Sequence, residues 1–257
     1  MTAVITGASS GIGKATAKML IDNGYKTYNL SRRPCEIDGV ISIKCDITKE
    51  EDVKAAFSKI DCVDLLINNA GFGIAGAIEM TDESDIHRQF ELNFFAQIRV
   101  IRHALPKLRE THGRIINISS AASVFPIPFQ SFYSATKASV ESMTAALRNE
   151  LKDFGISVGS LRLGDVKTGF TSARDKNTSD GGVYGSKISK SIAVMERDEQ
   201  NGMPPEKIAS AVLKAAKKRR LPLVTTVGVK YKLLCLLNRL LPQGAVNALI
   251  GKIYIPE

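Results

Sequence analysis

The 257-residue sequence contains no tryptophan, only four cysteines and only three histidines. The cysteines form no CxxC pair and show no metal-ligand spacing with the histidines, so no metal site is predicted. No apolar run approaches the roughly eighteen residues of a membrane span, since the longest candidate is LLCLL at 233–237. No basic, then apolar, leader begins the chain. We therefore expect a cytoplasmic protein with reduced thiols and no export signal.

Positive charge is in modest excess, because 35 basic and 26 acidic residues give a net charge of +9. The basic residues are scattered apart from KKRR at 217–220, a run that is typical of a solvated helix C-terminus. No zinc finger, RNA-reading signature or basic stripe interleaved with aromatics is present. The sequence therefore predicts no nucleic-acid partner.

What the sequence does have is a regular alternation of two kinds of segment. Strand-like apolar runs recur at 2–6, 25–30, 40–44, 64–67, 114–119 and 156–163. Segments of helical period lie at 11–23, 48–59, 82–109, 132–153 and 204–219. Such alternation predicts an α/β protein with a Rossmann-type doubly wound parallel sheet in a three-layer α/β/α arrangement, forming a single domain over 1–257.

Two segments stand outside this alternation. Residues 168–202 are polar and contain glycine, which predicts a long loop over a ligand at the carboxyl ends of the strands. Residues 229–257 are predicted to form a C-terminal helical extension. Its leucines recur at spacings of three and four, and Lys and Arg residues are interspersed among them. This pattern is compatible with a helix on a membrane surface, but it favours packing on the domain or on a partner subunit, so no membrane contact is expected.

The stretch TGASSGIG follows the first strand and opens the first helix. Gly7, Gly11 and Gly13 leave bare backbone there, and the helix N-terminus offers free N–H groups. An ordinary tight turn would also use glycine, but the strand before and the helix after favour a phosphate site. Its other members are Ser9, Ser10 and Ile12.

A second motif, FYSATKASV, places Tyr133 and Lys137 four residues apart on one helix face. An ammonium beside a tyrosine favours the phenolate, so we expect Lys137 to lower the pKa of Tyr133. Ser120 ends a buried-looking strand thirteen residues earlier, where its hydroxyl could bond a substrate oxygen.

Taken together, TGxxxGxG at 6–13, NNAG at 68–71, the Asn of ELNFF, ISS and YxxxK resemble the short-chain dehydrogenases/reductases. The resemblance runs from residue 2 to about residue 170, in the single-domain short branch of that family. NNAGFGIAGAIEMT, PFQSFYSATKASVESMTAALRNEL and LLNRLLP look most like its 17β-hydroxysteroid-dehydrogenase-like group.

The resemblance implies a catalytic tetrad. Tyr133 would exchange the proton with the substrate oxygen, and Ser120 would hold that oxygen. Lys137 would lower the tyrosine pKa and bind the nicotinamide ribose hydroxyls. Asn93 would hold a water that relays protons to solvent.

The same resemblance implies a nicotinamide cofactor, and the second strand indicates which one. That strand ends in Ser31, Arg32 and Arg33 with no acid at its tip. Two guanidiniums suit a ribose 2′-phosphate, so NADP(H) is predicted. The alternative is a pair of solvated arginines in a turn.

Further cofactor residues follow from the resemblance. Asp46 would bond the adenine amino group; the others are Ile47, Asn68, Ala70, Gly71, Val166 and Thr168. Asn68 would act mainly as a structural hydrogen bonder. Leu163 stands where the family usually has proline, which leaves the backbone near the nicotinamide less restrained.

The substrate wall is predicted to be mostly apolar, from Ala122, Phe125, Phe129, Leu163, Asp165 and Phe170, with Phe72 and Ile74. Such a wall suits a steroid, an acyl chain or an aromatic ketone. The predicted function is an NADP(H)-dependent oxidoreductase that interconverts a ketone or aldehyde and an alcohol. The alternatives are a catalytically silent NADP(H)-binding sensor or scaffold and an epimerase or dehydratase.

Oligomeric state is the first testable expectation. The segments 93–110 and 132–153 carry apolar stripes, and in related proteins the matching helices form subunit interfaces. We expect a homodimer or homotetramer built on them. Light scattering at micromolar concentration checks this, and a monomer would contradict it.

Overall fold

The computed structural model describes residues 1–177 and 182–255. Small parts of the predicted loop 168–202 and of the extension 229–257, namely residues 178–181 and 256–257, lie outside the described residues. The single-domain boundary at 1–257 stays a prediction.

A parallel seven-stranded sheet forms the centre of the molecule, in the order β3-β2-β1-β4-β6-β7-β9. Two further short strands, β5 and β8, pair with each other beside it. The strands are β1 (Thr2–Thr6), β2 (Lys26–Ser31), β3 (Val40–Lys44), β4 (Leu65–Asn68), β5 (Ile74–Ala75), β6 (Arg114–Ser120), β7 (Ser157–Leu163), β8 (Asp175–Lys176) and β9 (Val224–Val227). Each predicted strand is confirmed to within one residue, while β5, β8 and β9 were not predicted.

The helices of the described residues follow the predicted alternation. They are α1 (Gly11–Ile21), α2 (Glu50–Phe57), α3 (Glu83–Phe90), α4 (Ala96–Thr111), α5 (Ser131–Glu150), α6 (Lys187–Gln200), α7 (Pro205–Ala216), α8 (Val229–Asn238) and α9 (Gln243–Tyr254). The segment predicted as helical at 82–109 is α3 and α4, joined by a π-helical turn at Glu91–Phe95. The Rossmann-type fold is thereby confirmed.

Helices cover both faces of the sheet because successive strand residues point to opposite sides. Val4 and Leu66 pack in one buried cluster with residues of α2 and α4, against which α5 also packs. Their neighbours Ile5 and Ile67 pack in a second cluster with α1 and α7. Near-continuous apolar strands are what a sheet buried on both faces requires.

The chain reverses its direction of winding between β1 and β4. The sheet grows through β2 and β3 on one side of β1 and from β4 through β9 on the other. The carboxyl ends of β1 and β4 therefore flank a crevice, which is where open α/β sheets bind ligands.

The prediction that 168–202 is one irregular stretch is wrong, because α6 occupies Lys187–Gln200. Ile188, Ile192 and Met195 are buried on one face of this helix at spacings of four and three. This helical spacing of apolar residues is present in the sequence, but the many polar residues between them make it inconspicuous. The region also contains β8, which pairs with β5.

A mostly buried carboxylate fixes α5 to the sheet. Glu141 of α5 forms a salt bridge of 2.5 Å between its Oε2 and Nη2 of Arg162 on β7. Its Oε1 accepts hydrogen bonds from the hydroxyls of Ser119 at 3.0 Å and Ser123 at 2.8 Å. The side chains of Glu141 and Arg162 are only 14% and 13% exposed. One side chain therefore sets the register of α5 against both β6 and β7.

Glu141→Ala should lower the free energy of unfolding by about 3–5 kcal/mol, because it leaves the Arg162 guanidinium buried without its counter-charge. The double variant Glu141→Leu/Arg162→Met should lose much less, since it removes both charges. Urea denaturation of the three proteins checks this. A double variant as unstable as the single one would contradict the ion-pair explanation.

Candidate active site

One cavity of about 1080 Å³ lies in the crevice at the carboxyl ends of β1 and β4. Most of the predicted site residues line it, which are Gly7, Ser9, Ser10, Gly11, Ile12, Ser31, Arg32, Arg33, Asp46, Ile47, Ala70, Gly71, Ser120, Tyr133, Lys137, Val166 and Thr168. Gly13, Asn68 and Asn93 do not line it. The structure thus brings together residues from seven separate parts of the chain.

The glycine turn adopts the backbone conformation that its composition predicts. Gly7 and Gly11 have φ angles of +72° and +53°, a region that favours glycine. A Cβ on Gly13 would lie 2.3 Å from the carbonyl oxygen of Gly7, so this glycine permits the close approach of α1 to the turn. Ser10 precedes α1 and forms no side-chain cap. The first N–H groups of α1 therefore face the cavity free for an anion.

Polar residues of β2 hold the next part of the cavity wall. Asn29, which is fully buried, accepts a hydrogen bond from the N–H of Ala8 at 2.9 Å and donates one to the hydroxyl of Ser31 at 2.9 Å. Ser31 in turn donates to the carbonyl of Arg33. Asn29 was missed by sequence reasoning, although an Asn between Tyr28 and Leu30 in a strand predicted to be buried is a signal for such a role.

Arg32 and Arg33 are exposed at the rim of the cavity. Neither guanidinium forms a salt bridge within residues 1–177 and 182–255. Two unpaired guanidiniums beside a cavity are an attractive site for a doubly charged anion.

Asp46 lies at the end of β3 and accepts hydrogen bonds from the N–H and the hydroxyl of Thr48 at 3.1 and 2.7 Å. Burial acts to raise the pKa of Asp46, but the bonds from Thr48 and the charge of Arg32 outweigh it and hold that pKa below its ordinary value. The carboxylate is thus ionised and can accept a further hydrogen bond.

Two neighbouring asparagines lie at the carboxyl end of β4, and they make different contacts. Asn68 is buried and donates to the side-chain oxygen of Asn117 at 2.9 Å, away from the cavity. Asn69 lines the cavity, and its amide donates to the carbonyls of Thr6 and Gly7 at 3.0 and 3.2 Å. Asn68 therefore makes a structural hydrogen bond and does not line the cavity, and its contact with a cofactor stays a prediction.

Tyr133 and Lys137 project from the first turns of α5 toward the end of β6. The Lys137 Nζ lies 5.6 Å from the centroid of the Tyr133 ring. Burial raises the pKa of Tyr133 to about 12, and a hydrogen bond with Ser120 offsets only part of that rise. The pKa of Tyr133 therefore lies above its ordinary value in this structure, and its lowering by Lys137 stays a prediction.

Lys137 is only 4% exposed, and its ammonium donates to the carbonyl of Ile118 at 3.0 Å. Burial lowers the pKa of Lys137 to about 8. A lysine held out of water at the wall of a cavity is typical of a functional group rather than a structural one.

Asn93 lies on the π-helical turn, fully buried behind the cavity. Its oxygen accepts from the N–H of Phe72 at 3.0 Å and its amide donates to the carbonyl of Phe72 at 2.9 Å. A Cβ on Gly71 would lie 3.1 Å from the Asn93 oxygen and 3.8 Å from the Lys137 Nζ. Asn93 therefore positions the Gly71–Phe72 backbone, and its role in a water relay stays a proposal.

Most of the predicted substrate wall is present. Ala122, Phe125, Leu163, Asp165, Phe170 and Phe72 line the cavity, whereas Phe129 and Ile74 do not. The Phe170 ring lies 5.7 Å from the Tyr133 ring, centroid to centroid. Phe129 instead packs edge-on against Tyr184.

The C-terminal helices complete this wall, although the sequence predicted no part for them in it. The ring of Tyr231 occupies the space that a side chain on Gly164 would need, and its hydroxyl donates to the carboxylate of Asp165. Burial raises the pKa of Asp165 although that hydrogen bond opposes the rise. Lys230 is the charged residue that these helices add to the wall, and their other wall residues are Leu234, Val246, Leu249, Ile250, Ile253 and Tyr254. This end of the cavity is therefore largely apolar.

The model of the short chain dehydrogenase family matches residues 1–179. The chain is 39% identical over 233 residues to a 3-ketodihydrosphingosine reductase from Bacteroides thetaiotaomicron, covering 88% of this chain and 87% of that protein.

Two solved structures are similar as well. A short-chain dehydrogenase from Streptomyces avermitilis has a TM-score of 0.82 at 28% identity and covers 98% of this chain and 94% of its own. A 3-ketoacyl-(acyl-carrier-protein) reductase from Brucella melitensis, complexed with NADH, has a TM-score of 0.73 at 27% identity. The match covers 89% of this chain and 96% of that protein's chain.

The burial of Lys137 predicts a measurable effect on stability. A pKa of about 8 in place of 10.5 corresponds to about 3 kcal/mol against the folded state. Lys137→Met should therefore raise the free energy of unfolding at pH 7 by about 1–3 kcal/mol. The unfolded chain binds more protons than the folded one between pH 8 and about 10.5, so the wild type should gain stability over that range and the advantage of the variant should shrink.

Urea denaturation of both proteins at pH 7 and pH 10 measures this difference. A variant less stable than the wild type at pH 7, or an advantage equal at the two pH values, would contradict the buried charge.

Proposed function

The chain belongs to the short-chain dehydrogenase family, and we propose that it is an NADP(H)-dependent oxidoreductase that interconverts an apolar ketone and its alcohol. The family comprises oxidoreductases that bind NAD(H) or NADP(H) and act on small molecules. The observation that carries the proposal is that one cavity joins an anion site, the Ser120–Tyr133–Lys137 group and an apolar wall.

The residues present fit a phosphorylated dinucleotide. The free N–H groups at the start of α1 would hold the pyrophosphate, and Arg32 and Arg33 would hold the 2′-phosphate. The ionised Asp46 would accept from the adenine amino group. Other parts of the cofactor would meet Ile47, Ala70, Gly71, Lys137, Val166 and Thr168.

When bound, the cofactor supplies the hydride; the chain supplies the proton and the orientation. Tyr133, whose pKa of about 12 keeps it protonated at neutral pH, would donate its proton to the ketone oxygen. Ser120, which already bonds Tyr133, would hold the same oxygen. Lys137 would bind the ribose hydroxyls and place its charge behind the tyrosine. This protonation state suits ketone reduction.

The apolar end of the cavity supports a substrate with a long hydrocarbon chain. The similar Bacteroides protein is named for 3-ketodihydrosphingosine, a long-chain amino ketone. Asp165 lines the cavity and forms no salt bridge within the part of the chain that the structure describes. This carboxylate accepts a hydrogen bond from Tyr231 and can accept another from the amino group of such a substrate, so we propose a long-chain 2-amino ketone.

Steroids remain the prediction that follows from the resemblance to the 17β-hydroxysteroid-dehydrogenase-like group, and an apolar wall suits them too. A catalytically silent sensor or scaffold has no support among the similar proteins. A cytoplasmic location and a homo-oligomer stay predictions.

Tyr133→Phe tests the chemical step. It should reduce kcat by at least about 10²-fold, because it removes the proton donor, and leave the Kd of NADPH close to the wild-type value. Single-turnover kinetics and fluorescence titration of NADPH measure the two effects separately. A variant that keeps more than about a tenth of kcat would rule out Tyr133 as the acid/base.

Arg32→Asp tests the cofactor. Charge-assisted hydrogen bonds contribute about 1.5–3 kcal/mol each, so one lost bond should weaken NADPH roughly tenfold to a hundredfold. The affinity for NADH should be equal or improved, since a carboxylate can accept from a free 2′-hydroxyl.

Lys14→Asp is the matched control, because Lys14 is a nearby cation already paired with Glu36 at 2.8 Å. Wild-type preference for NADH, or an unchanged NADPH/NADH ratio in Arg32→Asp, would show that the arginines are merely solvated.

A further inference from the structure

The C-terminal helices, residues 229–255, leave an apolar surface uncovered. No residue of α8 is buried, and α9 buries only Val246 and Ile250. The predicted packing of this segment on its own domain is therefore only partial. The exposed apolar side chains are Val229, Leu233, Leu236, Leu237, Leu240, Leu241, Leu249 and Ile253, with exposed fractions from 40% to 80%.

The charges on this surface have one sign. Residues 229–255 contain Lys230, Lys232, Arg239 and Lys252 and no aspartate or glutamate. All four cations are exposed, and none forms a salt bridge within residues 1–177 and 182–255. Exposed leucines mixed with unpaired cations on short helices form the pattern that binds anionic lipid interfaces.

The same surface borders the cavity. Leu249 and Ile253 line the cavity and are also 53% and 46% exposed. Leu234 of α8 lines the cavity one residue away from the exposed Leu233. The apolar wall of the cavity is therefore continuous with the apolar outer surface.

We propose that the C-terminal helices dock on an anionic lipid bilayer, lying in its interface, so that the apolar end of the cavity faces the membrane. Among the described residues no helix is long and apolar enough to span a bilayer, which fits docking on the surface. A lipid-like substrate could then enter the cavity from the bilayer without crossing water.

Charge favours a bilayer over a second copy of this chain as the occupant. In a two-fold dimer the same patch meets itself, so the cations of residues 229–255 would oppose one another with no acid of that segment to pair with them. An anionic lipid surface offers the complementary sign.

Co-sedimentation with vesicles tests the proposal, and it requires no turnover, so its failure is separate from failure of the proposed reaction. The wild type should bind vesicles of equimolar phosphatidylcholine and phosphatidylglycerol at least tenfold more tightly than vesicles of phosphatidylcholine alone. Leu236→Glu/Leu240→Glu should reduce binding to the anionic vesicles at least tenfold, and Lys232→Glu/Arg239→Glu should do the same.

The control is Ile78→Glu, which places one glutamate on an exposed apolar residue, 63% exposed, outside the C-terminal helices. Its vesicle binding should equal that of the wild type. None of the five substituted residues lines the cavity, so NADPH titration reports whether each variant is folded.

Two results would overturn the proposal, and a third observation would reassign the surface. The first is a folded wild type that does not bind the anionic vesicles. The second is binding that the leucine substitutions leave unchanged. The third is the absence of vesicle binding together with an oligomer that Leu236→Glu/Leu240→Glu dissociates in light scattering, which would assign the surface to a second copy.

Discussion

The ammonium group of Lys137 is held out of water between β6 and α5, and the arrangement of the active site depends on that burial. Its hydrogen bond to the carbonyl of Ile118 ties it to the strand whose end carries Ser120. Glu141, one helical turn further along α5, fixes the helix against the same strand. Desolvation costs stability and raises the pKa of Tyr133, yet it also means that any charge or dipole placed nearby acts in a poorly screened environment.

The cavity is built from two chemically different halves that meet at this group. On one side the reversal of strand order between β1 and β4 opens a crevice whose wall is backbone N–H groups, two free guanidiniums and an ionised carboxylate. On the other side α8 and α9 add apolar side chains. In the proposed reaction a charged cofactor and a substrate with an apolar chain would occupy separate halves of the cavity, with Tyr133 between them.

Much of this was predictable because local patterns determine it. Glycines that need positive φ, strands buried on both faces and the spacing of Tyr133 and Lys137 are properties of short segments. The errors concern tertiary context. The helix α6 was hidden among polar residues, and the burial that raises the pKa of Tyr133 depends on side chains distant in sequence. Asn69 rather than Asn68 faces the cavity because adjacent strand-end residues point to opposite sides. The C-terminal helices line the cavity because of how they pack against the rest of the chain, and no local sequence pattern predicts that packing.

The central claim is that one cavity holds NADPH and a long-chain ketone together. Its most direct test is NADPH oxidation by the wild type over a series of 2-amino ketones of increasing chain length. Each buried CH₂ contributes about 0.8 kcal/mol, so kcat/KM should rise about fourfold per CH₂ until the apolar end is filled. A kcat/KM that does not depend on chain length, or no NADPH oxidation with any ketone of the series, would contradict the account.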